Sequence, residues 1–273
     1  MLWLLLQVWV SCFWMGHSEV VTSFENSCPE FFYKNIPPNE GLRPQTQALI
    51  CQRYKNQSFF ATLYDRDRFI PVYSAYIYQP GDVSIHKKWM VEPQVSVLSY
   101  SMFVTKDLSP FQSRSGKCSP SRACTHSSST GCRLDNKGHK SKGEQSHSEL
   151  LFRVATFTLT NIVPQNISLN RGGWKNYEQK IMIDSSKGCK TTYVITGTVH
   201  GNMNIPGGRV NVPSHIWSSA CCETNTGMNS WAVIAENDKD DVTPLTLGEL
   251  EEMLAKLLKK GQVSLFHSEC PRN

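Results

Sequence analysis

The sequence of 273 residues lacks several features that would place it in common protein classes. It has no internal repeat, which excludes a solenoid or a propeller. It has no pair of cysteines separated by two residues, the spacing that zinc modules use. Beyond its first fifteen residues it has no apolar run of the roughly 20 residues that a membrane-spanning helix needs. What remains is a globular chain whose 40% hydrophobic content suffices for one large core or two small ones.

The N-terminus predicts a secretory signal peptide over residues 1–18. An apolar run from Met1 to Met15 is followed by small and polar residues at a suitable cleavage point. The run is too short for a membrane anchor, although it lacks the Lys or Arg that usually precedes a signal. We therefore expect a secreted protein with no transmembrane segment after signal removal, in which residues 19–273 form one domain.

The cysteines fit an oxidising compartment, where most of them pair. Nine of the ten remain after signal removal. Six of these flank well-patterned segments and predict three disulfide bonds, whose pairing the sequence does not determine: Cys28, Cys51, Cys189, Cys221, Cys222 and Cys270. Two Asn-X-Ser sequons, at Asn56 and Asn166, predict glycosylation of a secreted chain.

An atypical segment rich in serine, lysine and cysteine covers residues 95–149. From Lys106 to Leu150 it holds eleven serines, eight Lys or Arg and four Asp or Glu, so it carries four of the five excess positive charges of the chain. A structureless loop of this length is unusual inside a compact domain. We consider two interpretations, a disordered basic insertion and residues foreign to the fold, such as a translated intron. Its basic side chains resemble a phosphate-binding surface in composition, but a solvated loop has the same composition.

Elsewhere the pattern alternates strands with few helices. Near the C-terminus, Thr246 and Glu249 form a capping box ahead of an apolar stripe, which predicts a helix that Gly261 ends. Aromatic and β-branched runs predict a hairpin from Phe60 to Tyr78, a strand over Thr191–Thr196 that Gly197 ends, and a strand over Trp231–Glu236. This order predicts the α+β class, with a mostly antiparallel sheet flanked by helices.

The stretch from Thr158 to Glu178, which we call the focal stretch, combines residues that are typical of a site. Alternating apolar residues and threonines predict a strand that ends at Asn161, followed by a Pro-containing turn. Asn170, Trp174 and Glu178 then recur every four residues. On one continuous helix beginning at Asn170, this spacing places an amide, an indole and a carboxylate on the same face.

Two roles are open for Asn170 on this evidence of spacing. Its amide oxygen is a hard, neutral ligand that suits Mg²⁺, and the Glu178 carboxylate could hold the waters of that ion. The simpler interpretation from composition alone is that Asn170 is an N-cap, because Asn is favoured there.

The focal residues resemble the metal-binding half of the DNA/RNA non-specific endonucleases, the ββα-metal or His-Me finger nucleases. The resemblance rests on Asn161, Pro164-Gln165, Asn170, Trp174 and Glu178 with these spacings. Flanking segments are similar to the vertebrate endonuclease domain-containing 1 branch of that family: Ala61–Asp67, Pro71–Tyr76, Trp89–Gln94, Ala155–Asn161, Thr196–Val199 and Ala220–Cys222. Together the similarity covers about Cys28 to Gln94 and Arg153 to Cys270.

The resemblance implies the ββα-metal fold, one Mg²⁺ or another divalent cation on Asn170, and DNA or RNA as substrate. It assigns Glu178 to the catalytic centre and Asn161 and Gln165 to substrate binding. It also implies a His general base, which the family carries in an Asp-Arg-Gly-His motif ahead of the metal-binding Asn. This sequence has no such motif.

The nearest match to the missing motif is Asn136-Lys137-Gly138-His139. His139 is either a general base in a degenerate motif or a chance match in a polar run. In the first case Lys137 is a candidate phosphate contact, although a Lys lacks the bidentate fork of Arg. His147 is the next candidate for the base. A zinc site formed by Cys118, Cys124, Cys132 and His139 is less favoured than a disulfide or a free thiol, because the ligand spacing is wrong.

Two functions follow from these observations. The first is a secreted, Mg²⁺-dependent non-specific endonuclease that hydrolyses phosphodiester bonds of DNA or RNA. The alternative is a catalytically inactive secreted glycoprotein with the nuclease fold that binds nucleic acid or protein. The altered motif around His139 decides between them, and the sequence does not predict an oligomeric state.

Overall fold

An eight-stranded antiparallel sheet forms the centre of the molecule. The computed structural model describes residues 19–54, 57–79, 130–133, 155–156 and 158–273. In sheet order the strands are β1 (Glu19–Val21), β2 (Gln47–Tyr54), β3 (Gln57–Asp65), β4 (Ile70–Ile77), β7 (Thr191–Val199), β10 (His215–Glu223), β11 (Met228–Glu236) and β12 (Thr243–Leu245).

Two small antiparallel sheets and several short helices complete the described part. One small sheet pairs β5 (Thr130–Arg133) with β6 (Ile162–Gln165), and the other pairs β8 (Met203–Asn204) with β9 (Asn211–Val212). The α-helices are α1 (Phe24–Ser27), α2 (Ile167–Arg171), α3 (Gly173–Asn176), α4 (Met182–Ser185) and α5 (Leu247–Leu258). A π-helical turn, Tyr177–Ile181, lies between α3 and α4, and 3-10 turns cover Pro29–Phe31, Tyr33–Asn35, Glu40–Leu42 and Leu159–Asn161.

The sheet separates two hydrophobic cores, because successive side chains of a strand point to opposite faces. Ile195 and Ile234 join the core that α5 and the N-terminal segments cover. Their neighbours Val194 and Val233 join the core on the other face, which the segment from β6 to α4 covers. The predicted α+β class, with a mostly antiparallel sheet flanked by helices, is confirmed.

The strand predicted to end at Gly197 continues through it to Val199. Gly197 pairs with Trp217 on β10, and the Trp217 side chain is fully buried. A Cβ at Gly197 would lie 2.3 Å from the Trp217 ring and 2.4 Å from the Val72 carbonyl oxygen. The glycine therefore makes room for the indole and does not end the strand.

The predicted C-terminal helix is α5, and its capping box is present. Thr246 Oγ1 accepts from the Glu249 N–H, and a Glu249 carboxylate oxygen accepts from the Thr246 N–H. The expected end at Gly261 is wrong, since α5 ends at Leu258 and Lys259 takes the left-handed conformation with φ 53°.

Three disulfides join the six predicted cysteines as Cys28–Cys51, Cys189–Cys222 and Cys221–Cys270. Cys221 and Cys222 are adjacent on β10 and so point to opposite faces of the sheet. One bridge fixes the C-terminal segment to the sheet, and the other fixes the chain just after α4. Within the described residues, no helix is long and apolar enough to cross a membrane.

Candidate metal-binding site

Strand β6 and helix α2 of the stretch from Thr158 to Glu178 combine with β5 into two short antiparallel strands followed by a helix. Strand β5 pairs with β6 in the register Thr130 to Gln165 and Arg133 to Ile162. Helix α2 begins at Ile167, two residues after β6 ends. This β5–β6–α2 order is the ββα arrangement that the resemblance implies.

The prediction of a strand that ends at Asn161 is wrong. Residues Leu159–Asn161 form a 3-10 turn, and the strand β6 begins after it. The cause is local hydrogen bonding, which competes with an extended backbone. The Asn161 N–H donates to the Thr158 carbonyl at 3.2 Å, and the Asn161 Nδ2 donates to the Thr156 carbonyl at 3.4 Å. Asn161 Oδ1 also accepts from Ser74 Oγ on β4 at 2.9 Å, which ties the turn to the sheet.

The helix begins earlier than the sequence predicts, and it is not continuous. Asn166 is the N-cap of α2, with its Oδ1 accepting from the Ser168 N–H at 2.8 Å. Asn170 lies inside α2 and its N–H donates to the Asn166 carbonyl at 2.9 Å, so the N-cap interpretation of Asn170 is wrong. The helical path breaks at Gly172, where α2 ends and α3 starts, and it widens into the π-helical turn that contains Glu178.

The Asn170 side chain is partly exposed at the surface of α2. No described residue forms a hydrogen bond with the carboxamide of Asn170. The buried Leu169 beside it packs into the core, which fixes the helix beneath the amide. A fixed helix that carries an uncommitted amide oxygen is suited to binding a ligand.

Trp174 and Glu178 are brought together, as the spacing predicts. Trp174 is buried, its Nε1 donates to Glu178 Oε1 at 3.1 Å, and its ring packs on that of Tyr177 with centroids 5.4 Å apart. Glu178 itself is partly exposed. The indole therefore holds a solvent-accessible carboxylate in one orientation.

The remaining predicted site residues fall into two groups. Asn161 and Gln165 are buried, Gln165 completely. His139, Lys137, His147 and Asn56 lie outside the described residues, as do residues 1–18 and all of 95–149 except β5. The roles assigned to all of these residues stay predictions.

Sequence reasoning missed two residues that hold α2 in place, both after β11. Asn237 is buried, its Oδ1 accepts from the Asn166 N–H at 3.0 Å, and its Nδ2 donates to the Pro164 carbonyl at 3.2 Å. Asp240 Oδ1 accepts from the Gly173 N–H at 2.6 Å. They lie about seventy residues along the chain from α2, so no local pattern connects them to it.

Two histidines lie at the ends of strands in the main sheet. His200 follows β7, and partial burial, together with the nearby Arg68 cation, lowers its pKa. His215 begins β10, and partial burial lowers its pKa against the opposing effect of Glu236. Its Nδ1 lies 3.0 Å from Ser214 Oγ.

Asn170 and Glu178 each offer the kind of donor that a hard, hydrated divalent cation takes. Within the described residues, no cluster of three His, Cys, Asp or Glu side chains could form a metal site. An amide oxygen on Asn170 and a carboxylate on Glu178 are hard oxygen donors, and Mg²⁺ keeps several waters and uses few protein groups. The observed residues therefore suit such a cation better than they suit zinc.

Comparisons with known proteins identify the family of the chain. The model of the DNA/RNA non-specific endonuclease family matches residues 37–264. The chain is similar to the human endonuclease domain-containing 1 protein, with 29% identity over 83% of this chain and 45% of that protein. The mouse protein of the same name is 26% identical over 89% of this chain and 47% of its own length. The chain thus spans about half the length of these relatives.

A solved structure also resembles the chain. A chain in the crystal structure of an EndoG/EndoGI complex superposes with a TM-score of 0.48 at 16% identity, covering 73% of this chain and 82% of that one. No conclusion about function rests on that superposition. The family match covers most of the sequence and includes the whole of β6 and α2. The relatives confirm the branch that the flanking segments predict. The chain belongs to the DNA/RNA non-specific endonuclease family.

Proposed function

We infer that this protein is a divalent-cation-dependent endonuclease that hydrolyses phosphodiester bonds of DNA or RNA without sequence preference. The observation that carries this proposal is the partly exposed Asn170 amide on the helix of a ββα unit, which no described residue engages. Family membership supports the reaction class, and the curated relatives are named as endonuclease domain-containing proteins.

Asn170 and Glu178 would hold the cation, for which we propose Mg²⁺. Asn170 offers its amide oxygen directly, and Glu178 accepts hydrogen bonds from metal-bound waters. Trp174 keeps Glu178 in place through the 3.1 Å hydrogen bond. When bound there, a divalent cation supplies Lewis-acid stabilisation of the negative charge that develops on the phosphate and the leaving oxygen.

His139 is our proposed general base. It would take a proton from the attacking water, the role that the resemblance gives to the family histidine. Lys137 would contact a substrate phosphate as a point charge. Asn161 and Gln165 are buried, so we propose that they act by supporting the substrate side of β6.

We further propose that the protein is secreted. The support is the signal-like N-terminus over residues 1–18 and the three disulfides, since such bonds persist in oxidising compartments. In that compartment, Asn56 and Asn166 are expected to carry glycans. A glycosylated Asn166 keeps its Oδ1, so its cap on Ser168 is compatible with the modification.

The proposal is tested by incubating the purified protein with plasmid DNA and with single-stranded RNA, in Mg²⁺ and in excess chelator. We expect cleavage in Mg²⁺, none in chelator, and recovery when Mg²⁺ is added back. A His139→Ala variant should lose nearly all of this activity. Full activity of that variant would show that the base lies elsewhere in the chain.

If the protein cleaves neither substrate in Mg²⁺ or in chelator, the proposed endonuclease activity is wrong. In that case, DNA binding that weakens steeply with salt would support the alternative of an inactive binding module, because phosphate contacts release counterions.

A further inference from the structure

The loop from Asn237 to Val242, which connects β11 to β12, contacts α2 at both of its ends. At the N-terminal end, Asn237 Oδ1 accepts from the N–H of the cap residue Asn166 at 3.0 Å. At the C-terminal end, Asp240 Oδ1 accepts from the Gly173 N–H at 2.6 Å. Helix α2 has only five residues, too few to be stable by itself, so these contacts matter for its position.

Asn237 uses every hydrogen-bonding atom of its carboxamide. Besides the bond to Asn166, its Nδ2 donates to the Pro164 carbonyl at 3.2 Å and to the Pro213 carbonyl at 2.8 Å. Its own N–H donates to the Ser214 carbonyl at 2.8 Å. One buried side chain therefore connects β6, the start of α2 and the segment before β10. A buried polar network that is fully satisfied holds its members in one arrangement.

Asp240 acts at the break between α2 and α3. The Gly173 N–H is one of the first amides of α3, which have no acceptor within the helix, and Asp240 supplies one. A Cβ at Gly172 would lie 2.2 Å from both carboxylate oxygens of Asp240, so any larger residue there would displace the carboxylate. A Cβ at Gly173 would lie 3.1 Å from Val242 Cγ2, so the whole loop lies close against this turn.

We propose that Asn237 and Asp240 are positioning residues for the metal site. They fix the two ends of α2 and thereby set the direction of the Asn170 amide, without touching the cation or the substrate. This inference rests on the proposed function for the identity of the ligand, whereas the hold on α2 is independent of it. Mutating a group that orients a metal ligand typically lowers metal affinity or activity about ten- to a hundredfold.

The test compares Asp240→Ala with Asp240→Asn, which keeps an acceptor oxygen for the Gly173 N–H. Asp238→Ala is the matched control, because Asp238 is an exposed carboxylate in the same loop. A second perturbation, Gly172→Ala, pushes the Asp240 carboxylate away and should reproduce Asp240→Ala. Gly261→Ala is its control, since a Cβ there meets nothing within 4 Å. Asn237→Asp, which keeps an acceptor but loses both donors, tests the other end of α2.

Two measurements are made on each full-length variant. Hydrogen exchange over residues 166–176 reports whether the loop holds α2. Titration with Mn²⁺ alone, followed by electron paramagnetic resonance, reports the affinity of the site without any need for turnover. We expect Asp240→Ala to speed exchange in this segment about fivefold and to weaken Mn²⁺ binding about tenfold. Asp240→Asn and Asp238→Ala should stay within about twofold of the wild type in both.

The outcomes separate the two proposals. If Asp240→Ala and Gly172→Ala leave exchange unchanged, or speed exchange without weakening Mn²⁺ binding, the positioning role is overturned. If the wild-type protein itself binds no Mn²⁺, the proposed metal-dependent function fails, and exchange alone then decides whether the loop holds α2. If Asn237→Asp fails to fold, the comparison of Asp240→Ala with Asp240→Asn still tests the positioning role, because Asp240 is exposed.

Discussion

At the scale of single residues, five asparagine side chains around the ββα unit differ in what their carboxamides contact. Those of Asn161, Asn166, Asn211 and Asn237 all bond to neighbouring backbone or side-chain groups. Each of these four side chains therefore has a structural role. Asn170 is different, since no described residue bonds to its amide, and it is the member of the set that is suited to binding a ligand.

The hydrogen bond from Trp174 to Glu178 gives the first residue-scale prediction. Replacing Trp174 by Phe keeps an aromatic ring in the core but removes the donor that orients the carboxylate. We expect the Mg²⁺ concentration for half-maximal cleavage to rise about tenfold, as for other groups that support metal ligands. The smaller ring should also cost about 1–2 kcal/mol of unfolding free energy.

Tyr177→Phe is the matched control for that prediction. It removes the contact of the Tyr177 hydroxyl with Met182 Sδ at 3.0 Å but leaves the Trp174 indole in place. The Mg²⁺ midpoint should then stay unchanged. An unchanged midpoint in Trp174→Phe as well would argue against any role of Glu178 near the cation.

At the scale of elements, a partly buried ion pair joins α5 to the C-terminal segment. Arg272 Nε and Nη2 donate to the two carboxylate oxygens of Glu251, each at 3.1 Å, and the same guanidinium bonds to the Phe266 carbonyl at 2.7 Å. Glu251 Oε1 also accepts from the Leu265 N–H at 2.8 Å. Glu251 is 8% exposed, so these partners take the place of water around its carboxylate.

Arg272→Ala should therefore destabilise the protein strongly. It leaves a buried carboxylate without its counter-charge, which costs about 3 kcal/mol of unfolding free energy. Lys256→Ala on the same helix is the control, because Lys256 and Glu252 are both largely exposed and such pairs contribute about 0.5 kcal/mol or less. Urea unfolding with the disulfides intact measures both values, and equal stabilities would contradict the role of the ion pair.

Elements with local signals are those that the sequence predicts well. Helix α5 carries its capping box and its buried leucines within thirteen consecutive residues, and the structure confirms it from Leu247 onward. The hairpin of β3 and β4 has aromatic and β-branched arms around a polar turn, and it also forms as expected.

The focal stretch is harder to predict because distant contacts decide its local shape. Ser74 ties the 3-10 turn at Leu159–Asn161 to the sheet, and Asp240 accepts a hydrogen bond at the break between α2 and α3. Strand β5 lies in a segment without any periodic pattern, so its pairing with β6 is visible only in three dimensions. The residue types of the candidate site could be read from the sequence, whereas the parts that position them could not.

At the scale of the whole molecule, the eight-stranded sheet carries a core on each face, and β10 anchors both. Its adjacent cysteines, Cys221 and Cys222, bridge to Cys270 on one side and to Cys189 on the other. Alternate side chains of neighbouring strands could be assigned to two faces from the sequence, but the pairing of six cysteines depends on the topology. The sheet thus provides a rigid base for the short helices that carry the candidate site.

The two histidines of the sheet predict how stability depends on pH. Partial burial lowers the pKa of both His200 and His215 below the ordinary value of 6.5. A depressed pKa in the folded state means that the unfolded chain binds more protons in this range, so stability rises with pH there. The stabilisation is present above pH 6.5 and is lost as the pH falls through the folded pKa values.

Unfolding free energies measured between pH 7.5 and pH 5.5 should therefore decrease as the pH falls. The variant His200→Gln with His215→Gln should show a flatter profile over the same range. Measurements stop at pH 5.5 because the carboxylates with lowered pKa values, such as Glu236, lose their contribution only at lower pH. A double variant with the full wild-type slope would show that other groups cause the dependence.

The central claim is that Asn170 holds the cation that a nuclease of this family needs, and one rate comparison tests it most directly. Plasmid cleavage at saturating Mg²⁺ is measured for the wild type, for Asn170→Ala, and for Asn176→Ala, an exposed asparagine in the same helical segment. We predict that Asn170→Ala lowers the rate on the order of a hundredfold or more, while Asn176→Ala stays within about twofold of the wild type. Equal cleavage by all three proteins would contradict the claim.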